Sequence, residues 1–152
     1  MKIISLDEGL IDFKPYNFQK EMIGTFHKNR FTICKLPRQS GKSTIMLSYL
    51  LHYALFNQNI NIAILANKAA TARDLLGRLQ LAYENLPTWL QQGIMSWNKG
   101  SLELENGSKI LASSTSASAV RGSSYNIIFL DEFAYVPATI ADEFFSSVYP
   151  TI

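Results

Sequence analysis

Residues 35–44, KLPRQSGKST, have residue types typical of a phosphate-binding loop. In the pattern G-x-x-x-x-G-K-[ST], the second half is intact as Gly41, Lys42 and Ser43, whereas Leu36 occupies the first glycine position. Such a loop curls backbone N–H groups around a phosphate at a helix N-terminus, while the lysine supplies charge and the hydroxyl reaches Mg²⁺. The short core also occurs by chance, so the prediction of a nucleotide site depends on its surroundings.

Two acids, Asp131 and Glu132, follow four apolar residues in IIFLDE. This arrangement matches the acid-bearing strand of nucleotide hydrolases, in which the first acid holds the Mg²⁺ shell and the second polarises the attacking water. Two acids can also simply mark a strand end that meets solvent. Because a glycine-lysine-serine loop lies upstream, we predict that Ser43 and Asp131 hold Mg²⁺ and that Glu132 is catalytic.

Arg38 lies inside the loop, where its guanidinium could reach the γ-phosphate and neutralise charge during phosphoryl transfer. A solvent-exposed arginine or a structural ion pair is the alternative. Upstream, the amide of Gln19 can bond both the donor and the acceptor edge of adenine, with Tyr16 or Phe18 stacked on the ring. A solvated glutamine on a helix face is the simpler account of Gln19.

Hydrophobic periodicity predicts the elements that position these residues. Residues 31–35, FTICK, are β-branched and aromatic and predict a strand in which Cys34 packs as a small hydrophobe. From Lys42 onward, apolar residues recur at the three- and four-residue steps of a helix. Residues 60–66 are typical of a parallel strand buried on both faces, and residues 68–86 predict a second helix.

The second half of the chain contains further predicted strands. Asn106-Gly107 divides SLELENGSKILAS into two alternating segments and predicts an antiparallel hairpin with a two-residue turn. A Ser/Ala-rich connection, 113–124, leads to a buried strand at 125–132 that ends in the two acids. The pattern predicts an α/β fold with a mostly parallel central sheet flanked by helices and with ligands at the carboxyl ends of the strands.

Composition suits one globular domain, since 47% of the 152 residues are hydrophobic and 17% are charged. The formal net charge of +2 is spread along the chain, so it argues neither for nor against a nucleic-acid partner. No stretch approaches the ~18 apolar residues of a membrane span. We therefore expect a soluble, cytosolic protein without a membrane partner.

Four segments together resemble the ATPase domain of large terminase subunits, the DNA-packaging motors of tailed bacteriophages, particularly of the myovirus type. They are PRQSGKS, ILANKAATARDLLGRLQ, LPTWLQQGIMSWNKGSLELENGSKILASSTSASAVRGSS and IIFLDEFAYVP, and the resemblance covers roughly residues 13–152. In that family the loop typically carries an arginine and lacks the first glycine, so Leu36 is expected. The resemblance implies a P-loop NTPase fold of the RecA/ASCE-like type that hydrolyses ATP to pump double-stranded DNA into a procapsid.

The resemblance also implies a role for each site residue. Asp131 is the magnesium acid, Glu132 the catalytic carboxylate, and Gln19 part of the adenine site. Arg38 and Lys42 act on the phosphates during catalysis. The nucleotide-binding loop consists of Arg38, Gln39, Ser40, Gly41, Lys42, Ser43 and Thr44.

Further expectations concern partners and extent. The resemblance implies a portal protein and a small terminase subunit as partners besides DNA, at the procapsid in the host cytoplasm. The family's coupling motif and nuclease domain would lie beyond Ile152, so residues 1–152 read as a partial ATPase domain, incomplete at the C-terminus. We expect an unpaired sheet edge, and with it self-association or a complementary fragment.

Other interpretations remain open at this level. A superfamily-2 helicase-like DNA translocase shares the glutamine and the D-E pair, although WNKGSLELENGS favours a terminase; the chain could also be a catalytically inert nucleotide-binding or assembly fragment. Lys68 and Arg73 suit contacts with the DNA backbone, but a solvated first helical turn explains them equally well. Arg121 could sense nucleotide or contact DNA, or it could belong to a turn with Gly122.

Overall fold

The computed structural model describes residues 2–5, 9–116 and 123–148. Arg121 and Gly122 therefore lie outside the described residues. The first two strands form a separate antiparallel hairpin. The helices and strands are β1 (Lys2–Ser5), β2 (Gly9–Asp12), α1 (Asn17–Lys28), α2 (Lys42–Phe56), β3 (Asn61–Ala66), α3 (Ala69–Glu84), β4 (Ile94–Trp97), β5 (Ser101–Leu104), β6 (Lys109–Ser114), β7 (Ile127–Asp131) and α4 (Ala138–Val148).

The main sheet contains five strands in the order β4-β5-β6-β3-β7. β3 is parallel to both of its neighbours, whereas β4, β5 and β6 pair antiparallel to one another. The prediction of an α/β fold with helices beside a sheet is confirmed. The prediction of a mostly parallel sheet is wrong, because the β5–β6 hairpin and β4 are continuous with the parallel strands and make the sheet mixed.

β3 lies at the centre of the fold because its alternating side chains enter two hydrophobic cores. Ile62 and Ile64 pack with residues of α2 and α3, whereas Ala63 and Leu65 pack with residues of α4. All four side chains are fully buried. The continuous apolar run predicted a strand covered on both faces, and the structure confirms it.

The β5–β6 hairpin is confirmed, but its turn differs from the prediction. Residues 105–107 form a three-residue loop, and the residues on either side of it are joined by a backbone hydrogen bond. Within this loop only Gly107 has a positive φ, 80°, as expected where a three-residue loop ends in a left-handed residue. The two-residue turn is therefore wrong, and the Asn106 amide instead donates to the carbonyls of Ala54 and Asn57, at 2.8 and 3.0 Å.

The predicted strand at residues 31–35 is also wrong, since neither strand nor helix occurs between α1 and α2. Ile33 is 97% exposed and Cys34 is exposed, so the expected burial of this apolar run is wrong too. A strand is stabilised by pairing with a neighbour, and none of the described strands pairs with this segment. The segment nevertheless leads into α2, which begins at Lys42 as predicted.

β7 is an edge strand within the described ranges, because it pairs with β3 on one side and with no described strand on the other. All its residues are only half-buried. An unpaired sheet edge was expected, and β7 provides one. Self-association through such an edge stays a prediction.

Candidate functional site

The loop before α2 contains two left-handed residues. Gln39 has a φ of 59° and Gly41 a φ of 75°, with Ser40 between them. Ser40 Oγ donates to the carbonyl of Pro37 at 2.9 Å, which fixes the turn. Left-handed residues that alternate with ordinary ones point successive N–H groups to one side and form anion-binding nests. No side chain caps the N-terminus of α2, so its first amides can serve an anion.

The side chain of Gln19 in α1 supports this loop through a hydrogen bond and is only 1% exposed. Its Oε1 accepts a hydrogen bond from the Tyr16 N–H at 2.9 Å, and its Nε2 donates to the Gly41 carbonyl at 3.2 Å. A Cβ at Gly41 would lie 2.7 Å from Gln19 Nε2. Glycine suits position 41 because of its positive φ, and an added Cβ would also force the Gln19 amide to shift.

The predicted adenine site stays a prediction. Both ends of the Gln19 amide contact backbone groups, so a base would have to use the remaining N–H and lone pair. Tyr16 and Phe18 stack on each other, with ring centroids 5.9 Å apart and an interplanar angle of 9°. They are 68% and 38% exposed, so their outer surfaces remain available to an aromatic ligand.

The two acids lie where β7 ends. Asp131 is the register partner of Ala66 in β3, so both acids lie at the carboxyl end of the parallel strands. Glu132 has a left-handed backbone, with φ 50° and ψ 37°. This conformation costs a non-glycine residue about 1–2 kcal/mol. Strain of this kind clusters at functional sites, so it supports a role for Glu132.

The pKa of Asp131, at the end of β7, depends on the charges around it. The pKa of the Asp131 carboxyl is raised above its usual 3.8, chiefly by burial and next by the negative charge of Glu132. This rise in pKa is opposed by the positive charge of Lys42, by a backbone hydrogen bond from Glu132 and by the positive charge of Arg78. Arg38 of the loop and Glu132 after β7 line one cleft, which places the loop before α2 and the carboxyl end of β7 at the same end of the sheet.

A cleft of about 320 Å³ is lined by residues of the loop and of the segment after β7, although neither Lys42 nor Asp131 lines it. Arg38 and Glu132, both predicted to be catalytic, line it together. Arg38 Nη2 lies 3.5 Å from the hydroxyl of Tyr135, which is a long hydrogen bond. A second cleft, of about 430 Å³, lies between the end of α2 and the β5–β6 loop and contains no predicted site residue. The full lining of the smaller cleft is Arg38, Asn67, Lys68, Thr71, Glu132 and Tyr135.

Sequence reasoning missed three residues of this cleft and gave a fourth a different role. Asn67, Thr71 and Tyr135 belong to no motif, and Lys68 was considered only as a DNA contact. The signal that could have found Asn67 and Lys68 is their position directly after β3, because ligands bind beyond the carboxyl ends of parallel strands.

Metal ligands in the described part of the chain are few. No group of three or more His, Cys, Asp or Glu side chains comes together in residues 2–5, 9–116 and 123–148. Ser43 lies in the first turn of α2, directly after Lys42, and is half-buried.

Among the helices of these same ranges, none has the length and apolar character needed to cross a membrane.

Residues 33–144 match a family model described as terminase large subunit, T4likevirus-type, N-terminal. The chain belongs to this family. The match spans the loop, both acids and every residue of the smaller cleft, and it confirms the resemblance that the sequence segments suggested. Gln19 precedes the matched range of this terminase chain. Membership implies a role in phage DNA packaging, and large terminase subunits are generally ATPases.

Proposed function

We propose that this terminase chain binds and hydrolyses ATP in the motor that moves double-stranded DNA into the procapsid. The observation that carries the proposal is that Arg38 of the loop and Glu132 after β7 line one cleft. A phosphate-loop lysine and a magnesium carboxylate act on the same triphosphate, so they must lie at one end of the sheet. A P-loop NTPase fold is part of this proposal.

The loop binds and orients the triphosphate. Lys42 supplies a point charge, and Arg38 neutralises charge that develops on the terminal phosphate. The alternating backbone of the loop and the uncapped start of α2 support this role. Gln19 adds the contact with adenine. The loop residues with this role are Arg38, Gln39, Ser40, Gly41, Lys42, Ser43 and Thr44.

Ser43 and Asp131 fit a magnesium ion, because a hydroxyl and a carboxylate supply the oxygen ligands that Mg²⁺ prefers. The surroundings of Asp131 raise its pKa, and a cation at this carboxylate would offset the cost of its charge. Mg²⁺ commonly takes one or two protein ligands and completes its shell with water and phosphate oxygens. When bound, the ion neutralises charge on the phosphates.

Glu132 acts as the general base in this proposal. It accepts a proton from water as the water oxygen bonds to the γ-phosphorus, and the bond from phosphorus to the ADP oxygen breaks. Its strained backbone and its position in the cleft that Arg38 also lines support the role.

Replacing the base tests the proposal. Glu132→Gln is expected to keep ATP binding, measured by calorimetric titration with Mg²⁺, and to lower phosphate release roughly 10²–10⁴-fold. Glu84→Gln, at an exposed position near the end of α3, should change neither quantity. Persistent turnover in Glu132→Gln would show that the base is wrong. A wild-type chain that does not bind ATP would contradict the whole nucleotide function.

Partners follow from the same proposal. They are double-stranded DNA, the portal protein and the small terminase subunit, at the procapsid in the host cytoplasm. Family membership supports this setting over that of a helicase-like translocase. A packaging assay with procapsids that carry the portal would separate the two, since a helicase-like protein would not fill them.

A further inference from the structure

The smaller cleft contains polar residues beyond those of the proposed mechanism. Asn67 and Lys68 connect β3 to α3, Thr71 lies in the first turn of α3, and Tyr135 follows the two acids. All six lining side chains are polar, and they come from three separate segments of the chain. The proposed mechanism gives Lys68 no role, although its side chain shares the cleft with the proposed base.

The charges of this cleft favour an anion. Two cations, Arg38 and Lys68, accompany one carboxylate, Glu132, so the formal charge of the lining is +1. Lys109 and Glu103 form an ion pair at 2.9 Å, whereas Lys68 takes part in no ion pair within 4 Å among the described residues. Lys68 therefore keeps its charge available to a ligand. The start of α3, which has neither a side-chain cap nor an acid in its first turn, adds to the positive potential.

The size and position of the cleft indicate which anion. Its volume of about 320 Å³ corresponds to the liquid volume of roughly ten water molecules at ~30 Å³ each. That volume is enough for a phosphate group together with an attacking water. Because Glu132 lines the same cleft, a phosphate held there would lie beside the group proposed to take the proton from that water.

We propose that Lys68, assisted by the Thr71 hydroxyl, binds the terminal phosphate of ATP in this cleft together with Arg38. The inference rests on the proposed ATPase function and adds a residue from a different segment of the chain. Lys68 donates hydrogen bonds to phosphate oxygens that ATP has and ADP lacks. Lys68 therefore strengthens the preference of the site for ATP over ADP.

A pair of lysine and arginine variants tests this role. Lys68→Ala is expected to weaken binding of a non-hydrolysable ATP analogue roughly tenfold, with the affinity for ADP unchanged, in calorimetric titrations with Mg²⁺. Lys68→Arg should retain most of the preference for the analogue. Arg73→Ala is the matched control, because Arg73 is an exposed cation in α3, the helix that follows Lys68, donates to the Ala69 carbonyl and does not line the cleft.

Five results would overturn the inference. If Lys68→Ala weakens the analogue and ADP equally, or weakens neither, Lys68 does not contact the terminal phosphate and the ATPase proposal stands. If Arg73→Ala lowers the preference as much as Lys68→Ala, the effect is general electrostatics. If Lys68→Ala lowers affinity for double-stranded DNA at constant nucleotide preference, Lys68 contacts the DNA backbone. A wild-type chain that binds neither nucleotide overturns the inference together with the ATPase function.

Discussion

Asp131 shows how the fold changes the chemistry of a single residue. A solvated aspartate ionises near pH 3.8, but burial and the adjacent charge of Glu132 raise the pKa of this carboxyl, and Lys42 only partly opposes the rise. The ionised carboxylate is therefore unfavourable in the nucleotide-free chain. A bound cation would remove that cost, which links the stability of the chain to its proposed ligand.

Asp131→Asn is expected to raise the melting temperature of the nucleotide-free chain at pH 7. Because the folded pKa lies above the unfolded value of 3.8, ionised Asp131 destabilises the fold above its folded pKa. This destabilisation disappears as the pH falls through that pKa, so the gain should shrink between pH 7 and about pH 4. Thermal unfolding followed by circular dichroism measures it.

The control for Asp131 is another aspartate. Asp142→Asn, at an exposed position of α4, should leave the melting temperature nearly unchanged at either pH. An equal gain from Asp131→Asn at both pH values would show that packing, and not ionisation, is responsible.

Functional residues differ in how well the sequence alone predicts them. The Gly41-Lys42-Ser43 core and the acid pair could be recognised because their chemistry depends on neighbours in the sequence. The support of Gly41 by Gln19 could not be predicted, since a partly buried hydrogen bond joins residues 22 positions apart. Tyr135 could not be assigned to the cleft either, because only the folded chain brings it close to Arg38.

At the scale of elements, prediction succeeded where a segment carries its own periodic pattern. α2, α3, β3 and β7 all lie close to their predicted ranges, because the hydrophobic cores determine their apolar spacing. The strand prediction for residues 31–35 was wrong because a strand is stabilised by pairing with another strand and not by a local pattern alone. The hairpin was found at Asn106-Gly107, but its loop type depends on hydrogen bonds between Asn106 and the end of α2.

Gln19 connects two elements, because its side chain joins the start of α1 to the residue that caps α2. Gln19→Ala is expected to weaken the binding of both ATP and GTP, since the loop loses a partly buried hydrogen bond worth about 1–3 kcal/mol, and to weaken ATP more, since the proposed adenine contact is also lost. Titration of both nucleotides measures the effect. Gln58→Ala, an exposed glutamine after α2, should bind both as the wild type does.

The same variant tests the proposed contact between Gln19 and adenine. The difference between the losses of ATP and GTP affinity measures that contact, and equal losses would contradict it. If GTP affinity stays at the wild-type value, the support of the loop by Gln19 is contradicted.

At the scale of the whole molecule, the site depends on two cores of unequal size. The larger one packs α2 and α3 against the sheet, and the smaller one packs α4 on its other face. Phe144 is the largest fully buried side chain of the smaller core and is 1% exposed. Ile128 and Leu130 of β7 pack against the same core, so the carboxyl end of β7 depends on α4 for its position.

Adjacent phenylalanines of α4 allow a matched test. Phe144→Ala is expected to lower the free energy of unfolding by about 3–5 kcal/mol, because it opens a cavity under β7. Phe145→Ala removes the same groups from a side chain that is 49% exposed and should cost about 1 kcal/mol or less. Both rings contact Phe133, with centroid distances of 5.9 and 5.2 Å, so burial is the main difference between them.

Urea unfolding of the Phe144→Ala chain also shows whether the two cores unfold together. β3 contributes alternate side chains to both cores, so we expect the loss of helical signal and the loss of ATP binding to share one midpoint. Loss of ATP binding at lower urea than loss of helix would instead mean that α4 and the end of β7 separate while α2 and α3 stay folded. In that case the smaller core would control the position of Asp131 and Glu132 without controlling the stability of the fold.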